Sequence, residues 1–124
     1  MDTITLRTVD IARTSDFLLR LFDLHTATQG NGEPRSGERW LYRGQQPLLR
    51  LITCQGDGLL RGAELLHHPR LHVGDYEVFR ARLRALGAPY RILDNAKRGE
   101  RHVLFRAPGG PLLELIFALP GERA

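Results

Sequence analysis

Residues 67 to 90, HHPRLHVGDYEVFRARLRALGAPY, carry the reading on which the fold turns. The run opens as a strand. From His68 to Val73 the pattern alternates, with Pro69, Leu71 and Val73 on an apolar face and His68, Arg70 and His72 on the other. His67 points away from His68 on such a strand. At Gly74-Asp75 the period changes. Tyr76, Phe79, Leu83 and Leu86 recur at helical spacing, which predicts a helix over Tyr76 to Leu86 with Gly87 placed to stop it. Downstream, Tyr90 to Leu93 reads as a short strand and Asn95 to Glu100 as a polar turn. Arg101 to Arg106 is a strand, Pro108-Gly109-Gly110 a turn, and Leu112 to Ala118 the last strand.

The first half has the same order. Thr3 to Val9 alternates as a strand, with Ile4 and Leu6 opposite Thr3, Thr5 and Arg7. Asp10 stands where a helix N-cap belongs, and Ile11 to Leu24 follows with Phe17, Leu18, Leu21 and Leu24 on one face. A polar loop, Thr28 to Arg39, leads to a short strand at Trp40 to Arg43. A turn at Gly44 to Pro47 and a second strand at Leu48 to Cys54 come next, then a glycine-rich linker at Gln55 to Gly62. Asp10 and Asp75 lie 65 residues apart, each between a strand and a helix. Leu49-Arg50-Leu51-Ile52 matches Leu113-Glu114-Leu115-Ile116 at a spacing of 64. The chain is an internal repeat. Each half has one helix over one small sheet, so the other sheet face must be covered, and two halves can put those faces together.

The 124 residues and 14.0 kDa allow one domain with a sizeable core, and 42% hydrophobic residues is ordinary for one. The longest apolar run, Pro111 to Pro120, is too short to span a bilayer and contains Glu114. No secretory signal stands out in the first ten residues. Cys54 is the single cysteine, which excludes an internal disulfide and a multi-cysteine zinc site and makes a reducing, cytoplasmic location the expectation. Net charge is +4 and the pI about 10.0, with 18 Lys and Arg against 14 acids. Lys97 is the only lysine. Such a balance permits an anionic partner. Arg80, Arg82 and Arg84 lie on a predicted helix, where Arg80 and Arg84 share a face, so they read as solvated surface and no nucleic-acid partner is expected. Gly56-x-Gly58 lacks the rest of a dinucleotide fingerprint.

The repeat resembles the vicinal-oxygen-chelate superfamily, which includes glyoxalases, bleomycin- and fosfomycin-resistance proteins and extradiol dioxygenases. The resemblance covers nearly the whole chain. It is carried by residues 67 to 90 and by RHVLFRAPGGPLLELIF, residues 101 to 117. Pro108, Gly110 and Glu114-Leu115 fit the family pattern, whereas Ala107 stands for its usual Asp and Pro111 for its Asn. The resemblance implies an α+β fold. Two βαβββ modules, about 1–55 and 66–118 of a single 1–124 domain, form a cup-shaped mixed sheet with helices on the outside. It also implies a homodimer and a small-molecule ligand.

In that family a divalent metal commonly sits in the cup, held by one residue from each of four strands. Those places fall here on Thr3, Arg50, His68 and Glu114. Imidazole and carboxylate are ordinary metal ligands, so His68 and Glu114 are the candidate pair. Thr3 is a poor ligand, and the Arg50 guanidinium has no lone pair to give. His72 is the first candidate for a third ligand and His102 the second. The alternative is no metal, with an Arg50–Glu114 ion pair filling its position. Periodicity puts Thr3, Thr5, Arg7, Arg50, Arg70 and His72 on the cup face beside His68 and Glu114. A polar, arginine-rich cup suits a small polar or anionic molecule. With a metal, lyase, isomerase or dioxygenase-type chemistry is implied; without one, Glu114 is a candidate general base or the chain is a sequestering, antibiotic-binding protein.

Overall fold

The computed structural model describes residues 3–26, 37–54 and 68–119. The first half contains β1 (Ile4–Thr8), α1 (Ile11–Phe22), β2 (His25–Thr26), β3 (Glu38–Arg43) and β4 (Gln46–Thr53). The second contains β5 (Arg70–His72), α2 (Tyr76–Ala85), β6 (Tyr90–Asn95), β7 (Glu100–Arg106) and β8 (Leu112–Ala118). The two sheets have orders β1-β4-β3-β2 and β5-β8-β7-β6. In each, the first strand pairs in parallel with the last, and the remaining pairs are antiparallel. The repeat read from the sequence is therefore the repeat of the fold: an α+β chain of two βαβββ units.

Local chemistry sets the element ends. The Asp10 carboxylate accepts from the Arg13 N–H at 3.2 Å and caps α1. The helix stops at Phe22, two residues before the expected Leu24, because Asp23 turns left-handed and Leu24 N–H returns to the Leu19 carbonyl. Asp75 precedes α2 in the left-handed region with no side-chain cap. Gly87 is also left-handed, as a helix stop requires. β5 is shorter than the expected His68–Val73 strand. Pro69 has no N–H to donate, yet its carbonyl accepts from Glu114 N at 3.1 Å. β3 begins at Glu38, earlier than the expected Trp40, and β6 runs on to Asn95. The two-residue β2 was not foreseen. His25 stacks on Tyr42 and bonds the Gly44 carbonyl at 2.8 Å. The linker expected over Gln55–Gly62, most of the loop expected over Thr28–Arg39, and His67 lie outside the described residues.

One core joins both units. Leu6, Leu41, Leu49 and Leu51 of the first sheet and Val103, Phe105, Leu113, Leu115 and Phe117 of the second belong to the same buried cluster. Phe17, Leu18, Leu21 and Phe22 of α1 and Phe79 and Leu83 of α2 also belong to it. Phe22 meets Phe79 between the helices, and Phe17 of α1 meets Phe105 of β7. Each fully buried leucine contributes roughly 1.5–3 kcal/mol. Arg82, read as surface, instead donates to the Leu21 carbonyl at 2.8 Å and lies over the Phe79 ring, so it ties the two helices.

A second tie joins the end of β1 to the β7–β8 turn. Thr8 and Thr14 are fully buried, and their hydroxyls bond each other at 2.6 Å. Thr14 also reaches the Pro108 carbonyl at 2.5 Å and Thr8 the Gly109 carbonyl at 3.2 Å. Gly109 has φ of 91°, and a Cβ there would overlap both threonine hydroxyls. Strand alternation turns the polar residues of both sheets away from the shared core.

Candidate functional site

The polar face of the second sheet centres on Glu114. Leu113 and Leu115 point into the core, so Glu114 between them points to the other face. It is 8% exposed and is the only charged residue among the buried described ones. His68, just before β5, places Nε2 2.5 Å from Glu114 Oε1. His102, diagonal to Glu114 across the β7–β8 ladder, places Nδ1 against Oε2. Its Nε2 contacts Glu100 Oε1 at 3.1 Å. Arg70, opposite Glu114 in register but mostly exposed, has Nε 3.4 Å from Oε1. A chain of side chains thus runs His68–Glu114–His102–Glu100. Burial alone would push the Glu114 carboxyl up, but hydrogen bonds from His68 and His102 and their charge pull it further down, so it sits below the usual glutamate range.

The first sheet has its own polar cluster. Arg50 Nε pairs with Glu38 Oε2 at 2.5 Å and lies over the Trp40 ring, 5.5 Å from its centroid. Trp40 Nε1 donates to the same Glu38 oxygen at 3.1 Å. Thr5 lies opposite Arg50 and Arg7 opposite Ile52, both exposed. Thr3 donates its hydroxyl to the Pro47 carbonyl at 3.1 Å.

The structure therefore regroups the expected residues. His68 and Glu114 come together. The Arg50–Glu114 pair does not form, because Glu38, read as loop, is in β3 and diagonal to Arg50 on the same face. His72, the preferred third partner, is exposed on the edge strand, while His102 reaches Glu114. Glu38 and Glu100 were missed. Extending the alternation of Val103 and Phe105 back through His102 to Glu100 would have found the latter.

Four family positions could offer a metal only two ligands. The Thr3 hydroxyl is engaged and Arg50 is a paired cation. Among the described residues, no group of three or more His, Cys, Asp and Glu side chains is arranged to hold a metal ion. The imidazoles are aimed at the Glu114 oxygens rather than at a common point. The donors as they stand do not fit a metal. No described helix is long and apolar enough to cross a membrane.

No protein-family model matches the sequence, and no curated protein matches it by sequence. Solved structures do match. The fosfomycin resistance protein FosX from Listeria monocytogenes superposes with a TM-score of 0.70 at 21% identity, over 100% of this chain and 97% of that one. A glyoxylase/bleomycin resistance protein/dioxygenase domain from Frankia sp. gives 0.68 at 18% identity, over 98% and 93%. Lactoylglutathione lyase from Agrobacterium tumefaciens gives 0.66 at 16%, over 94% and 92%. A variant of the Listeria protein, TM-score 0.67 at 18% identity over 93% and 86%, was crystallised with Mn(II) and 1S,2S-dihydroxypropylphosphonic acid. These neighbours are vicinal-oxygen-chelate proteins, and this chain has their fold.

Proposed function

We propose that this chain uses the vicinal-oxygen-chelate fold to bind a small polar or anionic molecule at Glu114, with no resident metal. The observation that carries this reading is the buried Glu114 carboxylate, both of whose oxygens are held by imidazoles. A buried ion costs several kcal/mol unless it is paired, and residues poised in this way cluster at functional sites. Glu114 supplies an oriented acceptor for a ligand O–H or N–H, and is the group placed to act as general base. Arg70 and Arg7 are exposed and offer the anion contacts, with Thr3, Thr5, Arg50 and His72 on the same polar faces. The protein is read as a cytoplasmic homodimer, on the strength of the family resemblance and the lone cysteine. A neighbour's ligand, a phosphonic acid, supports testing small organic anions first.

The test is calorimetric titration with simple carboxylates and phosphonates. Saturable binding, weakened at least about tenfold (about 1.4 kcal/mol) by Arg70→Ala, is expected. Binding to neither class, or binding indifferent to Arg70→Ala, would discard the reading. Stoichiometric metal in protein purified without chelator, lost in His68→Ala, would instead favour the metal-assisted enzyme.

A further inference from the structure

We propose that the ligand of the Glu114 face carries an apolar arm, and that Leu93 on β6 selects for it. The inference rests on the reading of Glu114 as the centre of the binding face. It adds the chemical class, a small amphipathic acid that is anionic at one end and hydrocarbon at the other. Strand register maps the face. Arg70, Glu114, Leu104 and Arg91 stand opposite one another in one row across β5, β8, β7 and β6. His72, Ile116, His102 and Leu93 form the next row. Residues directly opposite in a ladder project to the same side, so both rows belong to the face that carries Glu114.

The chemistry changes along these rows. On β5 and β8 stand the Arg70 guanidinium and the buried Glu114 carboxylate. One strand further, Leu104 is partly buried. On the edge strand β6, Leu93 is 72% exposed, the most exposed large apolar side chain among the described residues. Leu104 and Leu93 are diagonal neighbours, near enough for long side chains to form one strip. Strands lie about 4.8 Å apart, so the strip occupies the space roughly 5–10 Å from β8, the reach of a short alkyl chain or one aromatic ring. It takes no part in the shared core. Apolar surface left in water gains by being covered, and an apolar strip beside convergent polar groups is the usual make-up of a small-molecule site. The flanking charges name the occupant. Exposed Arg70 and Arg91 close the first row at both ends, which favours an anion, whereas the same face of a second copy brings the same cations. The acid group therefore goes to Arg70, with its hydrocarbon arm over Leu104 toward Leu93.

Calorimetric titration with straight-chain phosphonates and carboxylates, from methyl to hexyl, tests this. Affinity should rise roughly two- to fourfold per methylene, the range from half to full burial of each group. Leu93→Ser should flatten that rise. Ile92→Ser, on the opposite face of the same strand and 45% exposed, should keep it. Both positions are exposed, so neither change opens a cavity in the core, and the wild-type slope decides even if a variant fails to fold. Short anions that bind with no gain on lengthening overturn the proposal and leave the reading of Glu114 intact. Absence of binding by every member discards both. A slope that survives Leu93→Ser, or a dimer that Leu93→Ser turns into monomer by sedimentation, also overturns it, the latter by making the strip a contact between copies.

Discussion

At Glu114, burial and hydrogen bonding act in opposite directions. Burial disfavours the charge, while His68 and His102 favour it by more. A carboxyl held below its unfolded value of about 4.3 contributes stability that is fully present above that pH. The contribution is lost as pH falls through the lowered folded value. Glu114→Gln should therefore flatten the part of the acid-unfolding curve that lies below the ordinary carboxylate range, as read by urea midpoints across that window. An unchanged slope would mean that the two imidazoles do not hold the charge in solution. At neutral pH the same variant loses charge-assisted hydrogen bonds worth about 1.5–3 kcal/mol each, offset by the smaller cost of burying an amide. His102→Ala should also destabilise, by leaving one Glu114 oxygen and Glu100 without that partner. The residue types at this site were visible in the chain, but their grouping was not. His72 and His102 are each diagonal to Glu114 in register, and only side-chain packing decides which of them turns inward.

Among the elements, the two helices start differently although both follow Asp at equivalent places in the repeat. Asp10 caps α1 through its side chain, and Asp75 sits left-handed with no such bond. Asp10→Ala should cost about 0.5–2 kcal/mol by chemical denaturation. Asp75→Gly should be neutral or stabilising, since glycine relieves a left-handed backbone that costs roughly 1–2 kcal/mol for other residues. Equal losses from both changes would contradict the cap geometry. The β7–β8 turn is the least tolerant element. Gly109→Ala combines a left-handed backbone with overlap onto Thr8 and Thr14, and should cost more than the roughly 1–3 kcal/mol of backbone strain alone. Helices and long strands were legible because apolar period reports which face is buried. β2 was not, because two residues have no period, and the start of β3 was not, because Glu38 and Arg39 read as polar loop until β4 pairs with them.

For the whole molecule, the decisive feature is that the two repeats share one core. Leu51 of the first sheet and Leu115 of the second are both fully buried in it. Leu51→Ala should lose about 2–5 kcal/mol, and the whole chain should still unfold in one transition. Trp40 fluorescence follows the first sheet, and amide exchange in β8 follows the second. Separate transitions by the two probes would show that the halves are independent. By itself the sequence determined the two-unit repeat, its order of elements and which residues alternate onto the polar faces, because hydrophobic period and turn chemistry are local. It also determined that Arg50 could not serve a metal, because a guanidinium has no lone pair in any fold. Only the tertiary structure decided that Arg50 pairs with Glu38 and that Glu114 is bound by His68 and His102. Those contacts join residues 12 to 46 positions apart, and they depend on strand register and on how deeply each side chain is buried.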